Sequence, residues 1–249
     1  MNGGFVFSLE NHTAYAGKAK ILDGVSLAVR QGERIVLAGP NGAGKTSLLR
    51  AIALCARTSG ARPVFAPQDI PADCGLNGRE FVMLGRTAGL KPFRRPSPAD
   101  FAAVDAALAA LGAEHLAGRP AGAASGGEKQ LLAVALAVAS GAPAVLLDEP
   151  SAHLDMVRAA EFSRLLEMLA ERRPGLAVVA AVHDFENASG AFTRAVLMSG
   201  GRIVRDGTPE EVFTQENLSA AYGVRVWRAT RTAWRAGAAS CLNAGLERL

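Results

Sequence analysis

Gly39-Pro40-Asn41-Gly42-Ala43-Gly44-Lys45-Thr46 constrains this chain more than any other stretch. It fits the pattern G-x-x-x-x-G-K-[ST] in full. It follows the apolar run 34–38 and precedes a helical run opened by Ser47, so a strand delivers the chain into a glycine loop and a helix carries it away. The glycines reach backbone conformations closed to other residues, and the amides of the loop and the helix start converge on one anion. A triphosphate is the natural guest. Lys45 is placed to reach its β and γ phosphates as a point charge, and the Thr46 hydroxyl to ligate a bridging Mg2+.

The 249 residues, 49% of them apolar, suit an α/β protein of one large domain or two small ones. No stretch is long and apolar enough to cross a membrane, and Met1 to Gly4 do not begin a signal peptide, which predicts a soluble, cytoplasmic chain. Cys55, Cys74 and Cys241 are odd in number and show no C-x-x-C spacing, so neither a disulfide framework nor a zinc site is expected. The net charge of +4 is carried from Tyr222 onward, by Arg225, Arg228, Arg231, Arg235 and Arg248 against Glu247. Residues 1–221 are therefore neutral overall, which argues against a nucleic-acid partner for the domain. The tail is either a solvated end or a segment drawn to anionic lipid or RNA.

In order along the chain, residues 5–9, 21–22, 25–29 and 34–38 read as short strands, broken by Asp23-Gly24 and Gln31-Gly32 turns. Tyr15 falls in a polar loop over 13–18, either as a surface aromatic or as a ring that stacks on a nucleotide base. Residues 63–68 form a short strand running into a loop. Two helical patterns follow, 77–85 and 98–112, joined by the basic, proline-bounded stretch 91–96, and 69–125 reads as a helical subdomain inserted into the core.

Ser125 and Glu128 have capping-box spacing, so a helix starts at Ser125 with Gly126 and Gly127 in its first turn. Double glycine there weakens the helix unless something must come close. Residues 144–149 are an apolar run ending in Asp148 and Glu149, which a parallel sheet places at its carboxyl edge. Strand alternation sends the two carboxylates to different sides: Asp148 suits a Mg2+ shell and Glu149 the polarisation of an attacking water. A further strand, 176–182, leads to His183 at the same edge. A hairpin over 195–205 and two short helices, near Glu210 and over 215–222, follow. Residues 229–249 show no period and receive no role.

Taken together, in this order, these motifs resemble the nucleotide-binding subunit of an ABC transporter over about residues 5–228. The resemblance implies an α/β fold: a P-loop NTPase core with a mixed sheet, an N-terminal antiparallel β subdomain and an inserted helical signature subdomain. It implies ATP and Mg2+ as cofactors. Tyr15 becomes the adenine-stacking residue, residues 39–46 with Ser47 the phosphate loop, and Gln68 a glutamine that senses Mg2+ and the γ phosphate. Ser125-Gly126-Gly127-Glu128 becomes the family signature, Asp148 and Glu149 the metal and catalytic carboxylates, Asp155 the aspartate of the following loop, and His183 the switch histidine.

Phe81 to Arg86 with Phe93 to Pro96, then His153-Leu154-Asp155, then Gly207 to Val212 leading to Tyr222-Gly223-Val224 are similar to importers of metal chelates such as siderophores, haem and cobalamin. Three departures stand out. Gln68 follows Lys45 by only 23 residues, so the β subdomain should be shortened; Ala124 replaces a leucine; and Leu131 replaces a basic residue.

The family logic implies two chains closing head to tail over two ATP molecules, the Ser125 helix end of each capping the partner's γ phosphate. It also implies membrane permease subunits, an indirect substrate-binding protein, and a position on the cytoplasmic face of the membrane. Residues 76–96, with Gly85, Arg86 and Arg94, are expected to receive the permease. The rivals are a soluble ABC ATPase acting on a macromolecular complex, and an export or lipid-transport cassette. The double cassette or long insertion usual in the former is absent from this sequence, and the 81–96 stretch argues against the latter.

Overall fold

The computed structural model describes residues 5–58, 62–66, 70–87, 95–148, 156–182, 191–230 and 233–237. Two strands open the chain, β1 (Phe5–Ala16) and β2 (Ala19–Arg30), paired antiparallel as a two-stranded sheet. After them come β3 (Arg34–Ala38), α1 (Lys45–Thr58), β4 (Val64–Ala66), α2 (Gly78–Thr87), α3 (Pro98–Ala110) and α4 (Gly126–Ala139). Next are β5 (Ala144–Asp148), α5 (Met156–Arg172), β6 (Ala177–Ala181), β7 (Arg194–Ser199) and β8 (Arg202–Gly207). Two short helices, α6 (Pro209–Val212) and α7 (Gln215–Tyr222), and a hairpin of β9 (Arg225–Thr230) and β10 (Ala233–Gly237) complete the described chain.

The central sheet runs β4-β5-β6-β3-β7-β8, parallel except for β8. Its two faces follow from the period-two geometry of a strand. Ile35, Leu37, Leu146, Val179, Val196 and Met198 pack in one apolar cluster, and the alternate residues Val36, Ala38, Val145, Leu147, Val178, Leu197 in another. Such runs are apolar throughout because both faces are covered. The first face receives α1 through Leu48, Leu49 and Ile52, all fully buried, each contributing about 2 kcal/mol by leaving water. The β1–β2 sheet packs on the same face through Phe7, Leu9, Leu22 and Leu27. The opposite face receives α4, with Leu132, Val134 and Leu136 buried, together with Leu166 and Leu169 of α5.

Within the helical region, α2 lies against α4 at backbone range. A methyl added at Gly85 would stand 2.3 Å from the Leu136 carbonyl oxygen, and one at Gly78 2.3 Å from that of Leu116. Both positions therefore need a residue without a side chain. Two guanidinium groups cap the C-terminal carbonyls of α4. Arg86 donates to Ala139 O at 3.2 Å, and Arg173, just past α5, donates to Val138 O at 3.1 Å and Ala142 O at 3.3 Å. Cations at this end also complement the helix dipole.

Three expectations are corrected. The Asp23-Gly24 step is no turn: β2 runs through it with a register irregularity, the Gly24 amide bonding Thr13 Oγ1 at 3.1 Å, so two expected short strands are one. Tyr15 consequently sits on a strand, opposite Lys20, and the reversal is at Gly17-Lys18. Strand β9 crosses residue 228, so the segment given no role begins inside a hairpin. The antiparallel β subdomain and the mixed sheet are as expected.

Candidate functional site

The loop at residues 39–44 leaves the central sheet where β3, flanked by β6 and β7, ends at Ala38, and returns as α1 at Lys45. Gly39 is buried, and a methyl on it would meet Met198 O at 2.2 Å, so the loop leaves the strand in backbone contact with the end of β7. The Lys45 ammonium turns back under the loop, donating to Gly39 O at 2.7 Å and Pro40 O at 3.2 Å. The residue is 6% exposed, so a full positive charge is held inside the loop by its own carbonyls. Further bonds fix the backbone: Ala43 N to Pro40 O at 3.1 Å and Leu48 N to Gly44 O at 2.8 Å.

Asp148 ends β5 with the parity of Ala144 and Leu146, so alternation sends its side chain to the face that α1 covers. There the Thr46 hydroxyl donates to Asp148 Oδ1 at 3.0 Å, joining residues 102 positions apart. Two hard oxygen donors next to a buried lysine and a loop of amides suit Mg2+, which takes few protein ligands and keeps waters and substrate phosphates for the rest. The residues present thus fit a Mg–nucleotide complex.

Ser125 caps α4 as its spacing predicts. Its amide donates to Glu128 Oε2 at 2.7 Å, and its hydroxyl accepts from Glu128 N at 3.4 Å. The Ser125 amide and hydroxyl, helped by the Arg119 guanidinium, hold the Glu128 carboxyl down to a pKa of about 2. Arg119 Nη1 lies 2.7 Å from Glu128 Oε1, and His115 Nε2 3.8 Å from the same oxygen. Glu128 therefore builds the helix end rather than facing a ligand. Ser125 and Gly126 are solvent-facing, leaving the first-turn amides open to approach.

Tyr15 is 62% exposed, one position beyond Ala14, the register partner of Leu22. Leu22 in turn backs the loop: a methyl at Gly44 would stand 3.0 Å from Leu22 Cδ2. The tyrosine thus rides on the hairpin that flanks the phosphate loop. Gln68, Glu149, Asp155 and His183 lie outside the described residues, although β6, whose Ala181 pairs with Asp148, ends at the same sheet edge. Ser47 follows Thr46 in the first turn of α1. Sequence reasoning missed Arg119, which no spacing rule links to Glu128.

The family described as ABC transporter matches residues 22–152. The chain belongs to the ABC transporter family. The hemin import ATP-binding protein HmuV of Streptomyces coelicolor is 38% identical over 229 residues, covering 84% of this chain and 80% of that protein. The cobalamin import ATP-binding protein BtuD of Halobacterium salinarum is 34% identical over 83% of this chain. The match spans only 56% of that relative's length. The phosphonates import ATP-binding protein PhnC of Rhizobium johnstonii is 33% identical over 88% of this chain and 86% of that one. Among solved structures, a transporter assigned to the metal-chelate type, in an inward-facing conformation, shares the fold with a TM-score of 0.77. It is 24% identical, over 94% of this chain and 96% of that one.

Proposed function

We propose that this chain is the ATP-hydrolysing subunit that powers import of a metal chelate, of haem, cobalamin or iron-siderophore type, through a membrane permease. The observation that carries the ATP part is the bond between Thr46 and Asp148 beside the buried Lys45. A strand end, a loop and a helix start bring together a phosphate clamp and a pair of oxygen ligands, the two parts that phosphoryl transfer requires. The haem and cobalamin relatives and the sequence features at 81–86, 153–155 and 207–224 favour a chelate as cargo.

Lys45 takes the β and γ phosphates, exchanging loop carbonyls for anionic oxygens. Thr46 and Asp148 hold Mg2+, which when bound neutralises charge developing on the phosphates. In this reading Glu149 orients and polarises the attacking water, His183 and Gln68 serve catalysis with it, and Asp155 serves nucleotide binding. Tyr15 stacks on adenine. Ser125 and the glycine amides after it cap the γ phosphate of a second copy, so two chains close head to tail. The permease docks downstream of Gln68, where a cavity of about 450 Å³ lined by Ala72, Asp73, Leu76, Asn77, Glu80 and Pro120 offers a seat with acidic edges. The assembly then lies on the cytoplasmic face of the membrane.

The test combines two variants and an uptake assay. Glu149→Gln binds ATP, loses turnover and runs as a dimer with Mg-ATP but a monomer with ADP; Lys45→Ala loses ATP affinity. Cells relying on the Glu149→Gln chain fail to take up haem or cobalamin. Normal turnover in Glu149→Gln would overturn the ATPase reading. Loss of phosphonate uptake with chelate uptake intact would overturn the cargo.

A further inference from the structure

The phosphate loop is braced from behind by the turn between β7 and β8. β7 runs parallel to β3, with Leu197 paired to Ala38, so the loop after β3 and the turn after β7 rise from the same edge of the sheet. That turn, Gly200-Gly201, delivers the Gly201 amide to Ala43 O at 3.2 Å, while Gly201 O accepts from Asp23 N of β2 at 2.9 Å. The approach leaves no room for side chains. A methyl on Gly201 would stand 2.5 Å from Ile21 O, and one on Gly44 3.0 Å from the same oxygen; both glycines have positive φ, 78° and 100°. Residues 21–23, 43–44 and 201 thus meet backbone to backbone.

An ion pair closes this junction on its solvent side. Arg202, next to Gly201, donates through Nε to Asp23 Oδ2 at 2.9 Å and through Nη2 to the same oxygen, and Lys20 Nζ donates to Asp23 Oδ1 at 3.0 Å. Asp23 therefore grips the turn twice, with its amide on Gly201 O and its carboxylate on the Arg202 guanidinium.

We infer that Gly201 is a positioning residue for nucleotide binding, held by Asp23 and Arg202 so that its amide fixes the Ala43–Gly44 peptide of the phosphate loop. The inference rests on the nucleotide-binding reading of that loop. A trans peptide is planar, so its C=O and N–H point opposite ways. Anchoring Ala43 O to the turn behind the loop therefore turns the Gly44 N–H to the other side, the side on which a loop of amides takes up an anion. Ala43 lies between Gly42 and Gly44, where the backbone rotates most freely, and without the anchor this peptide could flip and present its carbonyl to the phosphates. A peptide fixed before the ligand arrives need not be ordered on binding. Gly201 acts through the loop and touches no reacting atom.

The experiment uses the full chain, wild type against Gly201→Ala and Arg202→Ala, with Arg202→Lys as the conservative variant. Hydrogen–deuterium exchange of the peptide covering residues 39–47, without nucleotide, reads the loop. Calorimetric titration with inorganic tripolyphosphate and with Mg-ATP reads binding, the former presenting phosphates without a base. In Gly201→Ala the loop peptide exchanges faster while peptides from β5 and α4 keep wild-type rates, and Kd rises about tenfold for both ligands, the weight of one well-placed hydrogen bond. Arg202→Ala moves both readings the same way by about threefold, as befits an ion pair largely in water, and Arg202→Lys restores most of the loss. KM for ATP rises in step while kcat at saturating ATP is retained. Arg202 is 67% exposed, so its alanine variant folds and decides the matter even where Gly201→Ala does not fold. Wild-type loop exchange with wild-type Kd in Arg202→Ala would overturn the role, as would a lowered melting temperature with Kd unchanged, or a rise in Kd for Mg-ATP alone. Faster loop exchange in the variants, with neither ligand bound by the wild-type chain, would leave the positioning standing and overturn the nucleotide reading instead.

Discussion

Arg86 and Asp100 close an ion pair inside the helical region, with Arg86 Nη2 2.7 Å and Nε 2.8 Å from the same carboxylate oxygen. The other oxygen accepts from the Ser97 amide at 2.8 Å and its hydroxyl at 2.7 Å, so every face of a nearly buried carboxylate is used. The guanidinium continues to the α4 carbonyl of Ala139. The sequence alone suggests Arg86 as a charged edge that sets a partner's register. Its donors are instead spent joining α2, α3 and α4.

Arg86→Glu therefore puts two carboxylates together and strips the end of α4 of a cap, lowering the melting temperature by several degrees. Arg86→Lys keeps the charge but cannot span Asp100 and Ala139 at once, and loses about half as much. Thermal unfolding followed by circular dichroism measures both; an unchanged melting point in Arg86→Glu would contradict the structural role.

For the Thr46–Asp148 pair, Asp148→Asn preserves the shape and the acceptor but removes the negative charge that attracts Mg2+. If the pair holds the ion, the wild-type chain is expected to bind ATP more tightly with Mg2+ than with a chelator. In Asp148→Asn that difference shrinks by about tenfold or more, the usual effect of weakening a metal site. Titration of ATP with and without Mg2+ checks this, and an undiminished difference would show that the pair does not hold the ion.

The capping box of α4 gives a pH dependence. A carboxyl harder to protonate in the folded chain stabilises the fold while ionised. For Glu128 that contribution is complete above its ordinary pKa of 4.5 and is lost as pH falls through about 2. Asp100, held well below the usual carboxylate range by the Ser97 amide and hydroxyl and then by Arg86, acts in the same sense. Urea midpoints between about pH 5 and about pH 2 fall less steeply in Glu128→Gln, which does not titrate and whose one amide oxygen can still accept from the Ser125 amide while the bond to Arg119 is lost. Identical slopes in the two chains would mean that Glu128 carries no linkage.

Gly85→Ala puts a methyl where the Leu136 carbonyl oxygen stands, 2.3 Å from the new carbon. The helices must separate, at a cost of about 1–3 kcal/mol in unfolding free energy, although alanine is the better helix former. Equilibrium denaturation gives the sign: stabilisation would mean that the α2–α4 contact yields freely.

Much of this was legible in the residues because it depends on local rules. The loop at 39–46 declares itself by spacing, the start of α4 by Ser125 and Glu128, and the side on which Asp148 lies by counting back in twos from it. What failed depends on contacts far apart in the chain. Glycine marks both turns and irregular strand pairings, so Gly24 could not be told from a reversal without seeing Thr13 across the strand pair. Arg86 looked like a surface charge because its partner, Asp100, lies beyond a proline-rich interruption.

The two arginines at the end of α4 decide how that helix can move. Arg173 ties Val138 and Ala142 to the segment after α5, whereas Ser125 at the opposite end faces solvent. Between its ends the helix is pinned along one face, where Leu132, Val134 and Leu136 are buried against the sheet. At Gly85 the backbone of α2 meets that of α4 with no room for a methyl, and Arg86 reaches from α2 to the Ala139 carbonyl. The two helices therefore form one stiff unit: any shift of α4 against the sheet has to be shared by α2, and with it by Leu84, which is 44% exposed.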